Sequence, residues 1–194
     1  MSIVSKVKKF VEDECKKPTS KYGYEPFSFH FVPMVQYAMK LADGTKADKE
    51  IIEIAGWLHD IGSIMDGRGE HHISGAKIAT NLLKELDYPD AKIKQVADCI
   101  RNHRGSVGNK QVSLEEKIIA EADAMSAFDN ISGLFKAALV YEHMTQGEAK
   151  ESVRAKLQNK FGQLEDKKSK EIIRPKYEAA MLLLNADVAS KDRS

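Results

Sequence analysis

Sustained strand-like alternation is absent from this 194-residue sequence. So is any run near the ~18 consecutive apolar residues that a membrane span requires. Only two cysteines are present, Cys15 and Cys99, without paired spacing, which argues against a disulfide framework and fits a reducing compartment. Both are expected to be buried small apolar residues. Charge of one sign is also missing. Thirty basic residues face twenty-nine acidic ones, a net charge of +1, so no overall field recommends nucleic acid or a membrane as partner, and an anionic substrate must be recognised locally. There is no internal repeat and no low-complexity tract. No glycine-rich phosphate loop is found either: Gly67 and Gly69 do not open a helix after a strand, which disfavours Rossmann and P-loop folds. The first residues, MSIVSKVKKFVEDECKK, mix charge with apolar side chains and resemble no signal peptide, so a cytoplasmic protein is expected.

What is present is helical periodicity. Ile3, Val4, Val7, Phe10 and Val11 share one stripe, and Met34, Val35, Ala38 and Leu41 another. The spacing predicts an all-α chain with helices near 2–16, 28–42, 48–61, 73–87, 89–103, 113–128, 130–144, 147–160 and 168–186. Asp48 is an N-cap candidate, Ser113 and Glu116 form a capping-box pattern, and Gly44, Gly62 and Gly105 stand where helices should stop. Residues 16–25, 63–71 and 105–112 concentrate Gly, Pro and polar residues and are expected to be the most mobile. The length suits one domain, 1–194. Trp57 and the methionines Met34, Met39, Met125 and Met181 read as core filling.

Five of the six histidines fall within the first 103 residues, near turns or helix ends. His143 receives no role. His59 and Asp60 close the apolar run IIEIAGWL just before Gly62, in the last turn of a helix whose other face is core. Neighbouring helical residues diverge by ~100°, but near a helix end an imidazole and a carboxylate can still approach a common point. Together they suit a divalent cation such as Mn, Fe, Ni, Mg or Zn, and further ligands are needed to hold it. His30 is one candidate. Another is Asp123, in the run KIIAEADAMSAF, because a carboxylate at a core-facing helical position is costly unless paired or metal-bound. Glu121 is its rival.

A His, an adjacent His-Asp pair about one helix later and a distant Asp resemble the H…HD…D signature of the HD superfamily, and His59-Asp60-Ile61-Gly62 is similar to its HDIG subtype. The resemblance covers about residues 25–130 and implies a compact all-α HD bundle of eight or nine helices, with C-terminal helices over about 131–186. It implies that His30, His59, Asp60 and Asp123 coordinate one divalent metal, Co included among the candidates. His71-His72-Ile73-Ser74-Gly75-Ala76 resembles the family's second-metal segment, with His71 the better ligand and His72 an outer or exposed residue. Asn102-His103 resembles the position of a further histidine, so that Asp60 would bridge two metals. The stretch from Lys156 to Leu184, with Arg174, resembles the tail of small stand-alone HD hydrolases and is expected to carry no catalytic residue.

The function so implied is metal-dependent hydrolysis of a small phosphorylated molecule, a nucleotide phosphomonoester or phosphodiester, by attack of metal-bound water on phosphorus. Arg68, Arg101 and Arg104 lie beside the proposed ligands and would bind phosphate oxygens with their planar forks. A cyclic-dinucleotide phosphodiesterase is disfavoured because no GYP motif follows and Ser63 replaces a lysine. An alarmone hydrolase is disfavoured because Ser63-Ile64-Met65-Asp66 lacks the usual acidic pair. Two other classes remain as alternatives: a di-iron oxygenase on the same ligands, and a non-catalytic nucleotide-binding domain with a structural metal. The partner expected is a small phosphate ester rather than a nucleic acid polymer or a membrane, with a homodimer as the commonest assembly.

Overall fold

The computed structural model describes residues 1–104 and 111–185, and these form helices with no strand among them. In chain order they are α1 (Ile3–Lys16), α2 (Val32–Ala42), α3 (Lys49–Leu58), α4 (Ile61–Met65), α5 (His71–Glu85), α6 (Asp90–Asn102), α7 (Leu114–Ser126), α8 (Ile131–Lys136), α9 (Gln146–Gln163) and α10 (Lys167–Asn185). None is long and apolar enough to cross a membrane. The apolar stripes meet in one core, where Phe31, Met34, Ile52, Ile54, Leu58, Ile119 and Met125 are all fully buried. Helix α2 packs against both α3 and α7, and α5 packs against α4 and α6, so every element that carries a candidate ligand abuts this core.

Several boundaries follow from their caps. Asp48 accepts hydrogen bonds from the backbone N–H groups of Glu50 and Ile51 and starts α3, and Ser113 accepts from Glu116 N–H and starts α7. Glu116 does not complete the expected box. Its carboxylate accepts instead from the Val112 N–H and from the Asn102 side-chain amide, tying α7 to the end of α6.

The helix expected over 28–42 begins with a π turn, Phe27–Phe31, closed by the Val32 N–H on the Phe27 carbonyl. Pro33 supplies the reason: it offers no N–H to the Phe29 carbonyl, and its ring would clash with that carbonyl in a regular α turn. The helix expected over 130–144 is likewise cut short, into α8 and a π turn at Ala137–Tyr141. The run expected to be one helix over 48–61 is two. At Asp60 the backbone leaves helical values (φ −111°, ψ 15°), and α4 restarts immediately with the Ser63 N–H on the Asp60 carbonyl.

Gly62 is therefore no helix stop. It lies within α4 where α5 crosses, and a Cβ there would stand 2.3 Å from the His71 carbonyl oxygen and 2.8 Å from the Gly75 nitrogen. Gly44 does end its helix, with φ +76° just past α2. Ser63–Met65, expected to be mobile, is the body of α4, with Ser63 and Ile64 buried. Gly105 and the expected mobile stretch 105–112 lie outside the described residues as far as 110. Cys15 and Cys99 are free and buried, and burial pushes the Cys15 thiol up to about 12.

Candidate metal centre

The break at His59-Asp60 turns two neighbouring side chains toward one point. His59 caps α3, fully buried, and its ring rests edge-on against Phe31 at 5.4 Å. The π turn brings His30 to the same place, with its Nε2 2.9 Å from Nε2 of His59 and 3.3 Å from Oδ2 of Asp60. Asp123, from the inner face of α7, places Oδ1 3.8 Å from His30 Nε2 and 3.7 Å from His59 Nε2. On the other side of Asp60, Oδ1 lies 3.1 Å from His71 Nε2 and 3.7 Å from His103 Nε2. Two sets of donors result, His30 with His59 and His71 with His103, and one carboxylate faces both.

The opposite edge of each ring fixes its proton. Nδ1 of His59 donates to the Gly56 carbonyl at 2.8 Å, Nδ1 of His103 to the Ile100 carbonyl at 2.6 Å, and Nδ1 of His71 to the Arg68 carbonyl at 3.0 Å. Ser126 spends its single hydroxyl proton on the Asp123 carbonyl, so at 3.0 Å it must accept from Nδ1 of His30. Every neutral ring thus turns a bare Nε2 lone pair inward. Two such lone pairs 2.9 Å apart repel unless a cation stands among them. The donor set, imidazole nitrogen plus carboxylate oxygen, fits a first-row divalent ion.

Electrostatics agree. Desolvation lowers the pKa of His59 to about 4, so it stays neutral at physiological pH. Burial opposes ionisation of Asp60, yet the surrounding imidazoles, His59 foremost, hold its carboxyl well below the usual range. Asp123 is also buried and also held low, by Lys160 first and then His59. Lys160 reaches in from α9 and binds Asp123 Oδ2 at 2.7 Å, which leaves Oδ1 to the histidines.

The other candidates separate. Arg68 and Arg104 line the cavity of about 650 Å³ above the centre, Arg68 bonded to Glu142 at 3.3 Å and Arg104 to the Gly69 carbonyl at 3.2 Å. Arg101 does not reach it: on the exposed face of α6 it pairs with Asp98 at 2.8 Å. Glu121 is not a rival to Asp123, since its carboxylate accepts from the Glu165 and Asp166 N–H groups ahead of α10. His72 is buried and does not join the donors around Asp60, its Nε2 lying 3.9 Å from the Glu70 carboxylate. From the stretch expected to carry no catalytic residue, Lys156, Asn159, Lys160 and Gln163 of α9 line the cavity, together with Ser152 one turn earlier. Their spacing of three and four is a helical face and was visible in the sequence. As a polar face it reads like one turned to solvent.

Comparison with known proteins agrees with this geometry. A family model described as HD domain matches residues 28–127. An uncharacterised protein of Methanocaldococcus jannaschii, MJ0778, is 32% identical over 113 residues, covering 48% of this chain and 62% of that protein. A tRNA (cytidine(56)-2′-O)-methyltransferase of Picrophilus torridus is 25% identical over 147 residues, 68% of this chain and 41% of that protein. The chain thus spans less than two thirds of either relative. Among solved structures, an HD-superfamily hydrolase of Bacillus thuringiensis superimposes with TM-score 0.69 at 19% identity, covering 94% of this chain and 93% of that one. YpgQ of Bacillus subtilis, in complex with ADP, gives 0.70 at 17% identity over 97% and 100%.

Proposed function

Because the chain belongs to the HD domain family, we propose that it is a metal-dependent phosphohydrolase, hydrolysing a phosphate ester of a small molecule, a nucleotide in particular, by attack of water on phosphorus. One observation carries the reading: four imidazoles, each with its Nδ1 proton committed elsewhere, aim Nε2 at the two oxygens of Asp60. His30, His59, Asp60 and Asp123 would hold a first divalent ion, and His71 and His103 a second that shares Asp60. When bound, such an ion supplies Lewis acidity toward a phosphoryl oxygen and lowers the pKa of water.

The chain's own groups do the rest. Ser126 and the three backbone carbonyls keep the imidazoles in one tautomer and orientation, so none must reorganise. Lys160 balances the charge of Asp123, leaving the ligand cluster the single net negative charge of Asp60, which favours a cation. Arg68 and Arg104 face the cavity above and would take phosphate oxygens of the substrate.

Protein supplied with Mn²⁺, Co²⁺ or Ni²⁺ should release phosphate from a panel of nucleotides and generic esters, and Asp60→Ala should abolish release, removing both halves of the shared carboxylate. Inertness of the wild-type protein with every metal across the panel would overturn the reading. Oxygen consumption by the iron-loaded protein would favour the oxygenase instead.

A further inference from the structure

Helix α9 presents two lysines to the cavity. Lys160 is bound to Asp123 at 2.7 Å. Lys156, one turn earlier, also lines the cavity and is half-buried, yet among the described residues it has no hydrogen-bond or ion-pair partner. Its charged neighbours are Arg68, Lys160 and Glu142, and Glu142 is already bound to Arg68. Two cations repel it, the nearby carboxylate is taken, and burial adds to the cost, so desolvation followed by Arg68 lowers its pKa. Facing the cavity without a protein partner, this ammonium is available to an anion that enters it.

The geometry also says where that anion would sit. Residues four apart share a helix face about one 5.4 Å turn apart, so Lys156 stands one turn beyond the lysine that touches the ligand cluster. Across the cavity, Arg68 is anchored beside the centre, because its carbonyl accepts from His71 Nδ1. Tyr22, Asp60 and Arg68 line the same cavity as Lys156. Lys156 and Arg68 are therefore two cations lining the cavity that opens on the centre.

We propose that Lys156 and Arg68 form a second anion subsite, which holds a phosphate one step removed from the phosphate at the metal centre. The inference rests on the phosphohydrolase reading for the identity of the first phosphate. It narrows the substrate class to molecules with adjacent phosphates, such as a nucleoside diphosphate or triphosphate, over simple monoesters.

Binding of methylphosphonate and of methylenediphosphonate to metal-loaded protein, measured by calorimetry in metal-containing buffer, tests it. Lys156→Met keeps the aliphatic stem and removes the charge. The wild type should prefer the diphosphonate, and Lys156→Met should lose about tenfold of that affinity while binding methylphosphonate unchanged; Lys156→Arg should restore the preference. An equal affinity of the wild type for both probes, or an unchanged preference in folded Lys156→Met, would overturn the subsite even if the enzyme hydrolyses monoesters. A Lys156-dependent preference in a protein that hydrolyses nothing would sustain the subsite and sink the phosphohydrolase reading.

Discussion

At the scale of single residues, the centre depends on His59 being buried and uncharged. Its folded pKa of about 4 lies below the ordinary 6.5, so between these values the unfolded chain binds a proton that the native state refuses. The metal-free protein should therefore lose stability as pH falls from 6.5 toward 4, by about 3 kcal/mol in full. His72, lowered chiefly by desolvation, adds a loss of the same sign as pH falls below 6.5. His71 is raised, through its bond to Asp60 against the cost of burial, so its stabilising contribution is complete below 6.5 and fades only at higher pH. Asp60 and Asp123 are lowered, and their contributions fade only once pH drops below the ordinary 3.8. Urea unfolding of metal-free protein at pH 7, 6 and 5 checks this, and a flat profile would show that His59 is not a buried neutral ring. His59, Asp60, His30 and Asp123 were all legible in the sequence because their identities and order form a pattern. Lys160 was not, since a lysine on a charged helix carries no mark of what it touches.

At the scale of elements, the approach of α4 to α5 has no slack at Gly62, where a methyl group would overlap the His71 carbonyl. Backbone cannot move aside as a flexible side chain does. Gly62→Ala should cost about 2–3 kcal/mol, a fall in Tm of roughly 5–10 °C, and should weaken metal binding because His71 lies on the displaced turn. Thermal melts and a metal titration of the variant measure both, and an unchanged Tm would refute the contact. Helical periodicity located nearly every segment, α1 and α6 within a residue or two, because an apolar stripe against a core is written directly in the spacing. The breaks were hidden. The split at Asp60 and the π turn before Pro33 interrupt continuous apolar runs, and each serves to aim a ligand rather than to bury a face.

For the whole molecule, the donors come from the π turn before α2, the α3–α4 break, the start of α5, the end of α6 and α7, so the centre exists only when these helices have packed. An ion that binds this state and not the unfolded chain stabilises the fold by mass action, by about 2.7 kcal/mol at a hundredfold excess over Kd. Chelation should accordingly lower the Tm of wild-type protein by roughly 5–10 °C, and the same chelator should leave Asp60→Ala unmoved. A wild-type Tm insensitive to both chelator and added metal would be the contrary result. The architecture as a whole was legible because no other fold class accommodates this periodicity. The cavity was not, because it is bounded by segments as far apart in the chain as Tyr22 and Gln163.

Asp60 places one oxygen toward each donor pair. Two occupants of such a site are not independent: whatever factor the first changes in the affinity for the second, the second changes in the affinity for the first. A shared carboxylate thus turns the centre into a thermodynamic coupler, in which the concentration of the weaker ion governs how firmly the stronger one is kept.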